Sequence, residues 1–352
     1  MTDDEWFVTP CPPPSAAHGA SAEARQNALT KPKGALGVLE HLAVRLAALQ
    51  QTDRPRADNV RIVLFAGDHG ITAQGVSAYP SAVTVQMLDN FARGGAAISV
   101  LARELGAPLE VIDAGTLAAT EIAGVIADKP CRGTRDFSRE PAMTMSEAQY
   151  ALAVGRRAAL RAAEQRADLL ILGEMGIGNT TSAAAIAAAL LARQPTDLAG
   201  AGTGLDDGGI KHKSNVIATA LKLHELTHRD DRPLKVLTHV GGLEIAALTG
   251  AIIGAAQARV PILIDGFIVT VAALLAIRLN ASCSDWLIYS HRSSEHGHRL
   301  VLEALGAEPL LDLKLRLGEG SGAALALPIV RLACALHAQM ATFAEARVSE
   351  AE

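Results

Sequence analysis

Aromatic residues make up only 3% of this 352-residue sequence. The core must therefore be filled by Ala, Leu, Ile and Val, which dominate an apolar content of 49%. Runs such as Ala183–Ala192 favour helix and let helices pack closely. Cysteine is scarce as well. Cys11, Cys131, Cys283 and Cys334 are scattered and form no CxxC pair. That excludes a disulfide framework and a zinc knuckle, and fits free thiols in a reducing compartment. No long run of one charge occurs, and the net charge is -5. An electrostatic footprint for nucleic acid or for an anionic membrane surface is therefore lacking. The N-terminal MTDDEWFVTPCPPP has neither the basic nor the apolar region of a signal peptide. The apolar stretches Leu243–Ala256 and Gly266–Ile277 are too short for a membrane span and read as buried helices. The expected compartment is the cytoplasm.

Short apolar runs recur instead: Val60–Ala66, Leu109–Asp113, Asp168–Leu172, Val236–Val240, Pro261–Asp265 and Trp286–Tyr289. Most precede a longer Ala/Leu segment that reads as helix. Strands covered by helices on both faces look like this. The expectation is an α/β fold with a Rossmann-like parallel sheet of about six strands. The flanks, Ala20–Leu49 and Gly322–Ala346, read as helix without strand. They predict a small helical subdomain built from residues 1–55 and 296–352, around a large α/β domain at 56–295. The polar ends of the runs gather at the carboxyl edge of the sheet, where open α/β folds bind ligands.

The strongest local signal is LLILGEMGIGNTTSAAA from Leu169. A strand enters, a glycine-rich turn follows, and a helix starts near Thr180. Gly176 and Gly178 allow backbone N–H groups to approach an anion, and Asn179 and Thr180 add polar groups at a helix N-terminus. The plainer reading is a tight packing turn. No Gly-Lys-Ser/Thr occurs, and Thr181 stands where a dinucleotide fingerprint needs its third glycine. A second polar cluster, AGAGTGLDDGGIKHK, offers Gly202 and Gly204 as a nest, with Lys211 and Lys213 as cations. Alone it reads better as a solvated loop before a helix. The loop after Asp68-His69 carries Ser77, Tyr79 and Pro80, with Gln86 beyond it. SHRSSEHGH holds His291, His296 and His298, but the spacing is not that of a zinc site. In RLGEGSG, Glu319 lies between glycines before an apolar helix. An apolar setting would raise its pKa and suit acid–base work, yet by spacing alone it fits a helix first turn at least as well.

Taken together, KPKGALGVLE, AGDHGITAQGVSAYPSAVTVQM, NFARGGAAI, GEMGIGNTTSAAA, GTGLDDGGIKHK, THVGGLEIAALTGA, DGFIVTVAAL, SHRSSEHGH and RLGEGSGAALA resemble, in order, the nicotinate-nucleotide:dimethylbenzimidazole phosphoribosyltransferases of cobalamin synthesis. The likeness runs from about Lys31 to the helix after Glu319. Gln74 and His296 stand where that family is expected to have an acidic residue and a proline. The resemblance implies transfer of ribose 5-phosphate from nicotinate mononucleotide to a benzimidazole, giving α-ribazole 5′-phosphate and nicotinate. It also implies a homodimer and no metal or redox cofactor. Glu319 matches the family's general base, and Glu174 is a second carboxylate candidate. Gly176, Gly178, Asn179, Thr180, Gly202, Gly204 and Lys213 become candidates for phosphate and ribose, and Ser77, Tyr79, Pro80 and Gln86 for the flat base. Two rivals remain. An NAD-dependent oxidoreductase needs an early GxGxxG and a following acid, which are absent. A non-catalytic binder of benzimidazoles or nucleotides would not need Glu319.

Overall fold

A computed structural model describes residues 3–227 and 230–349. Six parallel strands form one sheet in the order β3-β2-β1-β4-β5-β6. They are β1 (Val60–Gly67), β2 (Leu109–Gly115), β3 (Ile126–Ala127), β4 (Leu169–Met175), β5 (Ile262–Ile264) and β6 (Leu287–Tyr289). This is the doubly wound order, and its direction reverses between β1 and β4, where ligands enter such sheets. Alternate residues of β1 explain the two layers. Val63 and Phe65 join a core with the helices Met145–Glu164, Asn179–Leu191, Leu243–Gln257 and Phe267–Leu279. Ile62 and Leu64 face the other way, onto the helices Val38–Gln50, Ala97–Leu105 and Ser321–Gln339.

One expected strand is a helix. Val236–Val240 belongs to the helix Pro233–Val240, which starts on a proline at its first turn and stops at Gly241. A five-residue apolar run cannot report its own period, and here Val236 and Leu237 are buried as one face of a short helix. The sixth strand is β3, two exposed residues with no apolar run to announce it. Gly241-Gly242 therefore joins two helices rather than ending a strand.

The termini pack on one another. Arg25 donates to the carbonyls of His337, Ala338 and Met340, and Leu29 bridges Thr342 in antiparallel fashion. Ser321–Gln339 is long and apolar enough to cross a membrane, yet Ala323, Leu327 and Val330 are buried on the sheet. Its Arg331 is held by the carbonyls of Ala57 and Leu105, both at 2.9 Å.

Small residues set the distance between layers. The helices Met145–Glu164 and Leu243–Gln257 cross with their backbones in contact. A Cβ on Gly155 would overlap the Ala247 carbonyl oxygen, and one on Gly250 would overlap that of Leu152. Both obstacles are helix backbone and cannot turn aside. Gly155→Ala is expected to destabilise the fold by about 1–3 kcal/mol. Urea unfolding of that variant beside Ala153→Gly, at a half-buried position of the same helix, checks it, and an equal or smaller loss in Gly155→Ala would refute the contact.

Candidate active site

The carboxyl ends of β1, β4, β5 and β6 open onto a cleft of about 670 Å³, a size that suits a small-molecule site. One wall is the glycine turn after β4. Glu174 lies one residue before the end of the strand, Gly176–Gly178 make the turn, and Asn179 begins the helix. Gly178 has φ +94°, so a side chain there would be strained. The turn rests on a fully buried pair. His69 Nε2 lies 2.7 Å from Glu244 Oε1, and His69 Nδ1 lies 2.9 Å from Ser182 Oγ.

The opposite wall arrives from near the chain's end. Glu319 has φ +65°, between Gly318 and Gly320, which also have positive φ. Its carbonyl lies on Gly173 so closely that a Cβ on that glycine would overlap it. Asp265 fixes the segment. Its two oxygens accept from Gly320 N (3.2 Å) and Ala323 N (2.8 Å), the start of the helix Ser321–Gln339. Glu319 thus precedes the helix rather than lying in its first turn. Its Oε2 accepts from Ile98 N at 3.3 Å, in the first turn of the helix Ala97–Leu105. Burial pushes the Glu319 carboxyl up, the Ile98 N–H pulls it down, and the Asp265 charge raises it again.

Glu174 faces the same floor and takes a hydrogen bond from the Asn179 amide. Burial is the main force that pushes its carboxyl up to about 8. The charges of Asp265, Glu244 and Glu319 act in the same direction, and the Asn179 bond opposes them. Glu174 therefore keeps its proton at neutral pH, whereas an unfolded glutamate loses it near ~4.3.

The structure brings Glu319, Glu174, Gly176, Gly178, Asn179, Thr180, Gly202, Ser77 and Tyr79 to the cleft wall. Lys213 stands behind it. Its fully buried ammonium donates to Thr180 Oγ1 (2.8 Å) and Gly200 O (3.3 Å), without an ion pair among the described residues. Burial draws it down to about 8, and Glu295 partly offsets this. Gly204, Pro80 and Gln86 do not line the cleft, and all three are exposed. Lys211 points outward, and Asp206 caps the helix Asp207–Leu223 by accepting from Gly209 N at 2.8 Å.

Sequence reading missed the apolar wall of Val83, Met87, Phe267 and Ile268. It also gave no role to Asp265, although that residue closes an apolar run beside a glycine. The three histidines do not converge. His296 is exposed, while His298 is bound to Thr270 Oγ1 at 2.9 Å and driven by burial to about 3. His291 lies 3.4 Å from Asp265. Among the described residues, no three His, Cys, Asp or Glu are grouped to hold a metal ion. Gln74 donates to Asp136 at 2.6 Å, a partner that an acidic side chain there would repel.

A family model described as phosphoribosyltransferase matches residues 11–348. A nicotinate-nucleotide–dimethylbenzimidazole phosphoribosyltransferase of Bradyrhizobium sp. (strain ORS 278) is 63% identical over 348 residues, covering 99% of each chain. One of the same name from Pseudomonas putida (strain KT2440) is 58% identical over 346 residues, 98% of each. The crystal structure of CobT from Thermus thermophilus superposes with a TM-score of 0.91 at 46% identity, over 95% of this chain and 100% of that one.

A raised Glu174 pKa has a consequence for stability. The folded state holds this proton up to about pH 8 and the unfolded state does not, so stability falls as pH rises through that window. Glu174→Gln keeps an acceptor for Asn179 and cannot ionise. Its stability relative to the parent is expected to grow between about pH 5 and pH 8.5 in urea unfolding. A constant difference across that range would refute the assignment.

Proposed function

This chain belongs to the phosphoribosyltransferase family whose model spans residues 11–348, and from that premise we propose the reaction of its cleft. It transfers ribose 5-phosphate from nicotinate mononucleotide to 5,6-dimethylbenzimidazole or a related base, with α-ribazole 5′-phosphate and nicotinate as products. Full-length relatives with that name support the reading. So does the observation that carries it, a largely shielded carboxylate, Glu319, set between an apolar wall and a glycine turn at a helix N-terminus.

The chemistry needs one base and no acid. The donor is a β-nucleotide and the product is α, so a single displacement inverts the anomeric carbon. As the acceptor nitrogen bonds to that carbon, the bond to the pyridinium nitrogen breaks and its electron pair neutralises the ring. The acceptor's N–H proton goes to Glu319. Glu174 is the second carboxylate, near the ribose. Because it retains its proton, its use is to donate a hydrogen bond rather than to stabilise positive charge. The turn from Gly176 to Thr180, with Gly202 and Lys213 behind it, receives the phosphate. Gly204 acts through the shape of that loop. Ser77 and Tyr79 meet the flat base with Val83, Met87 and Phe267. Pro80 and Gln86 support that side from outside the cleft. The same reading takes the chain as a cytoplasmic homodimer, with 1–55 and 296–352 as a unit beside 56–295.

Incubation with nicotinate mononucleotide and dimethylbenzimidazole is expected to release nicotinate only when the base is present. Tight binding without release would support a non-catalytic binder, and cofactor reduction would support an oxidoreductase. Glu319→Ala should lose most turnover while still binding the base. The acid limb of kcat/KM should lie above the ordinary carboxylate range, because burial raises Glu319, and should vanish in that variant. Near-normal turnover in Glu319→Ala would move the proton transfer elsewhere.

A distinct outcome concerns Lys213. Lys213→Met should raise KM for the nucleotide about tenfold or more, the scale of a lost charged hydrogen bond, with kcat and the acceptor KM little changed. Parallel changes in both KM values would indicate a general loss of structure instead.

A further inference from the structure

The edge of the sheet opposite the cleft carries a charge that the fold does not answer. β1 reads VRIVLFAG and pairs on both sides, with β2 and with β4. Such a strand is apolar throughout, and Arg61 is its one exception. It lies on the face of Val63 and Phe65, at the amino end. Its Nε is shielded from solvent and has no hydrogen-bond acceptor among the described residues. Guanidinium N–H groups shielded in this way are ordinarily paired in folded proteins.

Arg61 borders a groove of about 270 Å³, lined also by Arg161, Glu110, Val63, Ile126 and Ala158. Arg161 is already satisfied, since its Nε and Nη2 reach the two oxygens of Glu110 at 3.2 and 2.5 Å. Two guanidiniums and one carboxylate leave one positive charge, and it belongs to Arg61. Most of the remaining wall is apolar. A guanidinium fork matches a planar carboxylate with two parallel hydrogen bonds, and Pro108, Leu109 and Ile126 would receive an apolar body.

We propose that this groove is a binding site for a small carboxylate with a flat apolar body, separate from the cleft and at the opposite, amino end of the strands. The volume suits a benzoate-sized molecule and is well under half that of the cleft. The Arg61 side chain makes no hydrogen bond or ion pair with a described residue, so its role lies in what it recognises.

Titration calorimetry with benzoate tests the site, with inorganic phosphate as the comparison anion. The full chain should bind benzoate, and Arg61→Met should weaken that binding by about tenfold or more, the loss of a charged hydrogen-bond pair. Arg61→Lys, which keeps the charge but not the fork, should bind at an intermediate level. Benzoate taken up by the cleft would be equal in all three proteins and subtracts out. Without ligand, Arg61→Met should melt at or above the parent, because no hydrogen bond or ion pair within the chain is lost and the methionine keeps the aliphatic packing. The proposal is overturned if Arg61→Met melts lower, if benzoate binds it as it binds the parent, or if phosphate binds at Arg61 as tightly as benzoate.

Discussion

The anchoring of one helix start by one carboxylate governs the cleft. Gly320 and Ala323 offer backbone N–H groups at the head of Ser321–Gln339, and no local side chain caps them. Asp265, from the end of β5, takes both. A negative charge at that position also meets the positive end of the helix dipole. The anchor draws the preceding residue onto β4, where Gly173 leaves room for its carbonyl, and holds Glu319 in a left-handed conformation that few side chains adopt. Such backbone strain persists only where its surroundings over-determine it. Three segments far apart in sequence thus act as one rigid unit beneath the ligand space.

Four acids meet in that unit, and they are answered in different ways. Glu244 has His69, Asp265 has a helix start and His291, and Glu319 has the Ile98 N–H. Glu174, like Glu319, has only a neutral N–H, but it is the more deeply buried of the two, and burial with the neighbouring charges makes it keep its proton. The division of labour between the two cleft glutamates follows from this difference in burial and surrounding charge, not from any difference in their side chains.

Much of this was legible from residue order. Five of the six strands stood out because parallel strands buried on both faces leave unbroken apolar runs. The failures have physical causes. Val236–Val240 is equally apolar as a short helix, and β3 pairs by its backbone at an exposed edge that demands no apolar residue. Around the cleft, Glu174 and Glu319 were conspicuous because glycines surround them. Met87 and Phe267 were not, since a residue lining a ligand wall and one filling a core share the same helical spacing. Lys211 and Lys213 looked alike in a loop. Their separation, one exposed and one fully buried, needed the phase of the helix Asp207–Leu223. Asp265 showed its importance only when the backbone it serves, some 55 residues on, could be seen beside it.

That long reach bears on how the chain comes into being. The helix Ser321–Gln339 covers the face formed by Leu64 and Ile171, and it is synthesised after every strand of the sheet. Until it emerges, the finished part of the sheet presents bare aliphatic surface to its surroundings, the kind of surface on which nascent chains associate wrongly. The residue placed to take the acceptor's proton arrives on the same segment. Completion of the protecting layer and completion of the reactive site are therefore a single event in the life of the molecule, and a chain that stalls before it is both sticky and inert.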